Sequence, residues 1–220
     1  MLKLSALVPL ITLAIAPDAS RLIPRLKAHP WSGWPPGTVV EFDSRLKIDG
    51  RTVDRWTTTQ TLMAATRDTA EVREVIPQWR ADLLRTCALR NDGEADLRID
   101  GERTMVIAGR RVPCRVLSQP GGRFWIAKDG DAVHVVKSER SARGVTHREA
   151  VVAWDDPLLV GGRTIPCVRF EETSEAQLSH HATTTWLTTA IPGGIARCRC
   201  TQRGGDGVTM VGEANVVRWA

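Results

Sequence analysis

From Thr38 onward, the sequence is a succession of short apolar segments separated by two-residue turn signals. The segments are rich in Val, Ile, Thr and Trp, which are residues favoured in β-strands. The turn signals are Asp49-Gly50, Asp100-Gly101, Asp129-Gly130 and Gly161-Gly162, with a weaker one at Ala108-Gly109. Asp-Gly and Gly-Gly readily adopt the positive φ angles of tight hairpin turns. The pattern predicts a mainly β protein built from antiparallel hairpins.

One segment has the period of a helix instead of a strand. Its apolar residues, at spacings of three and four, are Ile76, Trp79, Leu83 and Cys87, with Leu84 and Ala88 widening the stripe. Pro77 is suited to a first helical position, and Asn91-Asp92-Gly93 can end a helix. The sequence predicts a helix at about 77–90, with its apolar stripe on one face of the sheet.

An internal repeat covers much of the second half of the chain. Three matched pairs occur in the same order: 109–114 with 162–167, 124–126 with 185–187, and 149–154 with 213–219. The first pair shares the pattern Gly-Arg-x-(Val/Ile)-Pro-Cys. We predict two copies, 105–154 and 158–219, each of about four antiparallel strands. Two copies are too few for a solenoid, so one continuous, curved sheet is the simpler outcome.

The composition excludes several classes of function. The chain has 220 residues and a net charge of +5, with no basic run longer than a pair such as Arg110-Arg111. No lysine and arginine cluster therefore marks a nucleic-acid site. There is no Gly-x-Ser-x-Gly, and Pro192-Gly193-Gly194 lacks the lysine and the helix of a phosphate loop. We expect a protein that is not an enzyme, with no catalytic residue and no cofactor.

The cysteines and histidines leave three interpretations open. Cys198 and Cys200 point to the same face of a strand, so they are core thiols, part of a disulfide, or ligands of a soft metal. Of His180 and His181, which point to opposite faces, only one could join them. Cys114 and Cys167 occupy matching repeat positions several strands apart, too far for a disulfide.

Two pairs of neighbouring carboxylates are candidates for acid–base chemistry. Asp155-Asp156 precedes Pro157, where the sequence predicts a turn between the repeats. Glu171-Glu172 lies on a predicted strand with its side chains on opposite faces. Neither pair has a neighbouring group that would shift a pKa, so both are interpreted as solvated charges.

The N-terminal residues resemble an export signal. Leu4 to Ala16 runs without a charge after Lys3, which suits a signal peptide but is too short to span a bilayer. We assign 1–18 to this segment, 19–36 to a Trp-bearing linker and 37–220 to the β domain. The predicted location is periplasmic or extracellular, with membrane contact only through the N-terminal segment if it stays uncleaved.

The order of these features carries a resemblance to a family. The signal segment, the Trp-rich lead-in, the hairpins, Gly-Arg-x-Ile-Pro-Cys and the run Thr184 to Gly194 resemble uncharacterised exported bacterial proteins. These are similar to the half-barrels of the bacterial lipoprotein-carrier and outer-membrane lipoprotein-receptor families. The resemblance implies a curved antiparallel sheet whose concave side is partly plugged by helices and holds acyl chains. No binding residue of those families has a counterpart motif here.

The expected fold is one curved antiparallel sheet, a half-barrel of about nine to eleven strands with one helix packed on it. The expected function is a non-enzymatic envelope protein that binds a lipid, an acylated protein or another apolar ligand. The alternative is a structural or protein-interaction module with a filled core and no ligand. The candidate groove residues are Trp79, Leu83, Trp125 and Trp186.

Overall fold

The fold is given by a computed structural model, which describes residues 28–88, 98–128, 135–142, 144–177 and 179–220. Thirteen β-strands and a 3-10 helix at Pro77–Trp79 make up its regular structure. The strands are β1 (Val39–Ile48), β2 (Arg51–Ala65), β3 (Thr69–Ile76), β4 (Ala81–Ala88), β5 (Arg98–Ile107), β6 (Arg110–Gln119), β7 (Gly122–Ala127), β8 (Val135–Ala142), β9 (Val145–Val160), β10 (Arg163–Ala176), β11 (Ser179–Leu187), β12 (Ile195–Gly204) and β13 (Thr209–Trp219).

All thirteen strands belong to one antiparallel sheet, in the order β4-β3-β2-β1-β13-β12-β11-β10-β9-β8-β7-β6-β5. The prediction of a mainly β protein with a single antiparallel sheet is confirmed. The sheet must be strongly curved. Flat, it would be about 58 Å wide at the usual strand spacing. One edge strand, β4, ends at Ala88, and the other edge strand, β5, begins at Arg98. The nine residues that connect them can span at most about 36 Å.

The predicted helix at 77–90 is wrong, and so is the count of about nine to eleven strands. The helical geometry stops after Pro77–Trp79, because Arg80 adopts a left-handed conformation with φ of 50°. The following residues form β4, which pairs along its whole length with β3. Residues 81–88 therefore satisfy their backbone hydrogen bonds across the sheet, and this pairing overrides the helical spacing of the apolar residues.

Two predicted turns lie inside strands. Asp100-Gly101 belongs to β5, where the register with β6 shifts beside Gly101 as in a β-bulge. Asp155-Asp156-Pro157 belongs to β9, which continues without a break to Val160. The turns at Asp49-Gly50, Ala108-Gly109 and Gly161-Gly162 are found as predicted. Asp129-Gly130 lies outside the described residues.

The core consists of three clusters of buried side chains. The first cluster contains Ile107, Cys114, Val116, Trp125, Ala127, Val136, Val151, Phe170, Leu187, Ile195 and Cys198. The second cluster contains Trp31, Val40, Phe42, Leu62, Ala70, Val72, Val160, Ile165, Cys167, Ile191, Ala196, Ala214 and Val216. The third cluster contains Leu46, Trp56 and Ile76. Each cluster includes one tryptophan that is almost fully buried, so large aromatic side chains fill the interior.

The residues matched in the sequence repeat occupy corresponding places in the sheet. Cys114 and Cys167 each follow a tight turn by five residues, and both thiols are buried. Trp125 and Trp186 each stand at a register shift with the next strand. The two copies would comprise β6 to β9 and β10 to β13, with four strands each. Superposition of 105–154 on 158–219 stays a prediction.

Candidate functional site

Two hairpins extend beyond the sheet as two-stranded tips. We call residues 104–113, from β5 and β6, the first tip, and residues 157–166, from β9 and β10, the second tip. Among the described strands, none lies beside either tip, since β7 pairs with β6 only from Cys114, with one more hydrogen bond of 3.1 Å from the Lys128 amide to Pro113 O, and β11 pairs with β10 only from Val168. This explains the prolines of the repeat, because a free strand edge needs no N–H donor at those positions.

Each tip buries one side against the sheet. Ile107 of the first tip is 5% exposed and belongs to the first cluster, and its carbonyl oxygen accepts a hydrogen bond of 2.7 Å from Trp154 Nε1. Val160 occupies the matching position of the second tip and is buried in the second cluster with Val216. The tips are therefore a second layer over the sheet, fixed by apolar burial.

The opposite side of each tip carries an exposed aliphatic residue. Val106 is 72% exposed and Leu159 is 73% exposed, and they occupy matching positions one residue before Ile107 and Val160. A cationic side chain lies over a tryptophan ring beside each tip. Arg110 is 5.8 Å from the ring centroid of Trp154, and Arg163 is 6.0 Å from that of Trp219.

Each tip carries residue types that dominate binding energy at protein interfaces, distributed over its two faces, because Arg110 and Arg163 lie opposite Ile107 and Val160 in the register. Tryptophan and arginine are enriched among such residues, and an exposed aliphatic side chain gains from being covered. Arg110 also forms an ion pair with Asp155, which holds its guanidinium in place. The tips thus offer two preformed, chemically similar contact surfaces.

A cavity of about 300 Å³ lies where the second tip meets β12 and β13. It is lined by Leu158, Leu159, Val160, Gly161, Ala196, Arg197, Asn215, Val216 and Val217. This volume is at the lower limit of small-molecule sites. Most of the lining residues are aliphatic, and Arg197 and Asn215 add polar side chains.

Arg197 belongs to a polar chain that crosses four strands. Its guanidinium carbon lies 5.0 Å from the ring centroid of Trp186. Trp186 Nε1 donates to Asp156 Oδ2 at 2.9 Å, and Arg169 donates to the same oxygen at 3.0 Å. Asp156, which the sequence placed in a turn, is therefore a structural acceptor within β9, and these contacts orient the Trp186 ring.

A nearly buried carboxylate at the centre of the sheet is surrounded by cations. Glu213 forms ion pairs with Arg45, with Lys47 at 3.8 Å and with Arg199 at 3.7 Å. Burial alone raises the pKa of Glu213, but the hydrogen bond from Arg45 and the three positive charges outweigh it and hold that pKa below its usual value. The carboxylate stays ionised, so this group binds the three strands together.

The predicted groove residues fall into separate parts of the structure. Trp79 lies 4.8 Å from Trp56, ring centroid to ring centroid, beside the third cluster. Leu83 is 44% exposed on the edge strand β4. Trp125 is buried in the first cluster with Lys137 over its ring at 4.7 Å, and Trp186 packs beside the second cluster. With no helix to carry Trp79 and Leu83, a ligand groove shared by the four residues stays a prediction.

The cysteine thiols lie in the core. Cys198 and Cys200 are 6% and 2% exposed, and Cys200 Sγ is 3.6 Å from His181 Nε2. Burial raises the pKa of Cys198 to about 12, so this thiol carries its proton at neutral pH. Among the described residues, no group of three or more His, Cys, Asp and Glu side chains is arranged to hold a metal ion. The described residues contain all five cysteines and no disulfide, and Cys114 and Cys167 lie four strands apart.

Sequence reasoning missed the tips and the cavity as surface features. The repeated Gly-Arg-x-(Val/Ile)-Pro-Cys motif was the available signal, because it spans the turn, the stacked arginine, the free-edge proline and the buried thiol. Within the described part of the chain, no helix is both long and apolar enough to cross a membrane.

No protein-family model matches the chain, and no curated protein matches it significantly. Three solved structures are distantly similar. The hypothetical lipoprotein YmcC from Escherichia coli K12 is 13% identical, with 80% of this chain and 87% of that one covered and a TM-score of 0.30. MucB in complex with MucA(peri) is 14% identical over 90% and 93% of the chains, with a TM-score of 0.23. The Pseudomonas aeruginosa MucA/MucB complex is 13% identical over 90% and 94%, with a TM-score of 0.22. Similarity at this level assigns neither a family nor a partner to this chain.

Proposed function

We propose that this protein is a non-enzymatic module of the bacterial cell envelope that binds another protein through its two hairpin tips. The observation that carries the proposal is the matched exposure of Val106 and Leu159 on the outer faces of two hairpin tips, each of which also carries an arginine stacked on a tryptophan on its other face. Export rests on the uncharged run from Leu4 to Ala16.

The filled interior favours a protein-binding surface rather than a lipid-carrying groove. Trp31, Trp56 and Trp125 each occupy one core cluster and are 2%, 1% and 7% exposed. A carrier of acyl chains needs an open apolar volume, whereas these three rings fill the described core clusters.

The test is site-specific photo-crosslinking in intact envelopes. A photoreactive amino acid at Val106 or at Leu159 is expected to trap the same protein, and Glu71, an exposed residue of β3, is the matched control position. Adding Leu159→Glu to the Val106 probe should abolish the crosslink at that probe if one partner spans both tips. Equal crosslinking at Glu71, or none at either tip, would overturn the proposal.

The second candidate is the binding of a small amphipathic ligand, which the cavity beside Arg197 favours. Native mass spectrometry of protein purified from its own envelope separates the two candidates. A co-purified small molecule that is lost in Val216→Trp would support the ligand. Protein without bound small molecules favours the tip surface.

A further inference from the structure

The segment that leads into the first strand is docked on the sheet as a compact loop. We call residues 28–37 the lead-in loop. The His29 amide donates to Arg67 O at 2.8 Å and the Gly37 amide donates to Leu62 O at 2.7 Å, so both ends of the loop are tied to β2 and the turn after it. Within the loop, the Ser32 amide donates to His29 O at 2.8 Å.

Trp31 inserts from this loop into the second cluster and is 2% exposed. Its ring lies over the backbone of the loop before β12. A Cβ added to Gly193 would stand 3.1 Å from the Trp31 ring, and one added to Gly194 would stand 2.9 Å from Pro30. The Pro192-Gly193-Gly194 sequence therefore forms a surface that fits the lead-in loop closely.

His29 is buried in the same loop at 1% exposure. Its Nδ1 accepts a hydrogen bond of 3.3 Å from the Trp31 amide, so the neutral ring carries its proton on Nε2. Nε2 is buried and has no hydrogen-bond partner among the described residues. Protonation of Nδ1 would remove the acceptor and set one N–H against another, while placing an unpaired charge in the core.

Within the described residues, no carboxylate charge contributes to the pKa of His29. The turn between β2 and β3, which holds the loop through the carbonyl oxygen of Arg67, carries the charged residues Arg67 and Asp68. Residues 188–194 carry no charge. Burial is the cause that lowers the pKa of His29 from 6.5 to about 4.

We propose that the lead-in loop is a pH-released plug, which covers an apolar surface of the second cluster while His29 is neutral and leaves it when His29 is protonated. Release exposes the apolar surface of the second cluster, to which Val40, Leu62 and Ile191 belong together with Trp31. The strands remain paired, because the loop contributes no strand to the sheet.

The direction of the pH dependence follows from the lowered pKa of His29. Docking is at full strength above about pH 6.5, weakens as the pH falls, and levels off below about pH 4. Between pH 7 and pH 4.5 the ratio of docked to released loop should fall roughly fiftyfold. A protein exported beyond the cytoplasm meets such a pH range when its surroundings acidify.

The experiment measures amide exchange and dye binding of the full chain at pH 7 and pH 4.5. Exchange rates are corrected for their intrinsic pH dependence. We expect the amides of His29 and Gly37 to lose protection at pH 4.5, with new binding of an apolar fluorescent dye and an unchanged far-ultraviolet circular dichroism spectrum. Exchange that is equal at both pH values, or that rises equally in all strands, would overturn the proposal.

Two histidine variants assign the response. His29→Gln should keep the loop docked at both pH values, and His180→Gln, at an exposed histidine, should respond like the wild type. A pH response that survives in His29→Gln contradicts the mechanism.

Gly193→Ala, which crowds the Trp31 ring, should release the loop and bind dye already at pH 7 with the sheet intact. If the lead-in loop stays docked in Gly193→Ala, the close fit of the Trp31 ring against Gly193 is not what holds the loop on the sheet.

Discussion

Trp154 Nε1 donates a hydrogen bond of 2.7 Å to the carbonyl of Ile107, 47 residues earlier in the chain. This bond joins β9 to the first tip, which also contacts β9 through the ion pair of Arg110 with Asp155 and contacts the first cluster through Ile107. Together these contacts hold the tip over the sheet.

Trp154→Phe keeps most of the ring and removes this donor. We expect a loss of about 1 kcal/mol in the free energy of unfolding, the usual net value of one hydrogen bond. Trp219→Phe is the matched control, since Trp219 holds the same place beside the second tip and makes no such bond within the described residues. Denaturant unfolding of both variants measures the difference, and equal losses would show that the bond contributes nothing.

Arg85 forms an ion pair of 3.0 Å with Glu74, a carboxylate that is 1% exposed. Arg85→Met removes this cation from the buried carboxylate, and we expect a loss of about 3 kcal/mol in the free energy of unfolding. Adding Glu74→Gln to Arg85→Met should restore most of the lost stability. Arg73→Met is the control, because Arg73 and Asp82 form an exposed pair whose loss should cost less than about 1 kcal/mol.

The same experiment tests whether residues 81–88 form the strand β4 or the helix that the sequence predicted at 77–90. Arg85 faces Glu74 because β4 pairs with β3, with Arg85 opposite Val72 and Leu83 opposite Glu74. If the variants show no coupling between positions 74 and 85, this register is wrong.

Glu213 provides a pH-dependent contribution to stability. Its pKa is held below the usual 4.5, so the ionised form stabilises the fold above that pH and the contribution is lost as the pH falls through the lowered value. We expect Glu213→Gln to lose about 2 kcal/mol at pH 7 and progressively less below about pH 4.5.

Glu175→Gln is the matched control for Glu213. Glu175 pairs with Arg148 at 3.6 Å, and both side chains are more than half exposed, so the substitution should change the stability by less than about 0.5 kcal/mol at any pH. Thermal unfolding of both variants between pH 3 and pH 7 makes the comparison. A loss in Glu213→Gln that is independent of pH would contradict the assigned charge.

The five thiols should differ in reactivity with an alkylating reagent. Cys87 is half-buried on the edge strand β4, whereas the other four cysteines are buried. Burial raises the pKa of Cys198 to about 12 and that of Cys167 to about 11, which leaves little thiolate at neutral pH. Peptide mapping after native labelling should find Cys87 modified first, and rapid labelling of Cys198 would contradict its place in the core.

The sheet was predictable because its hairpins are local. Tight turns such as Ala108-Gly109 and Gly161-Gly162 separate alternating segments, and pairing across a short turn needs no long-range information. The helix predicted at 77–90 was wrong because the contacts that decide this segment are not visible in its local sequence. Spacings of three and four can fit a strand when charged residues such as Arg85 find partners across the sheet, and the sequence shows no such partner.

The candidate surfaces were less predictable for a physical reason. The first tip has apolar residues at both Val106 and Ile107, and alternation alone does not say which of the two faces the sheet. The contact of Trp31 with Gly193 joins positions more than 150 residues apart. Nothing local in the lead-in indicates that its tryptophan belongs to the core.

The sheet has an odd number of strands, and this fixes how its two edges can be used. With every neighbour antiparallel, the first and thirteenth positions point the same way, so β4 and β5 run in the same direction. Paired with each other they would form a parallel ladder, which needs a different hydrogen-bond register from every other pair in the sheet. A single extended segment that ran antiparallel to both β4 and β5 could pair with each of them and continue the antiparallel pattern. By parity, the thirteen described strands cannot complete an antiparallel ring by themselves, and each of the two edge strands can pair with a further strand.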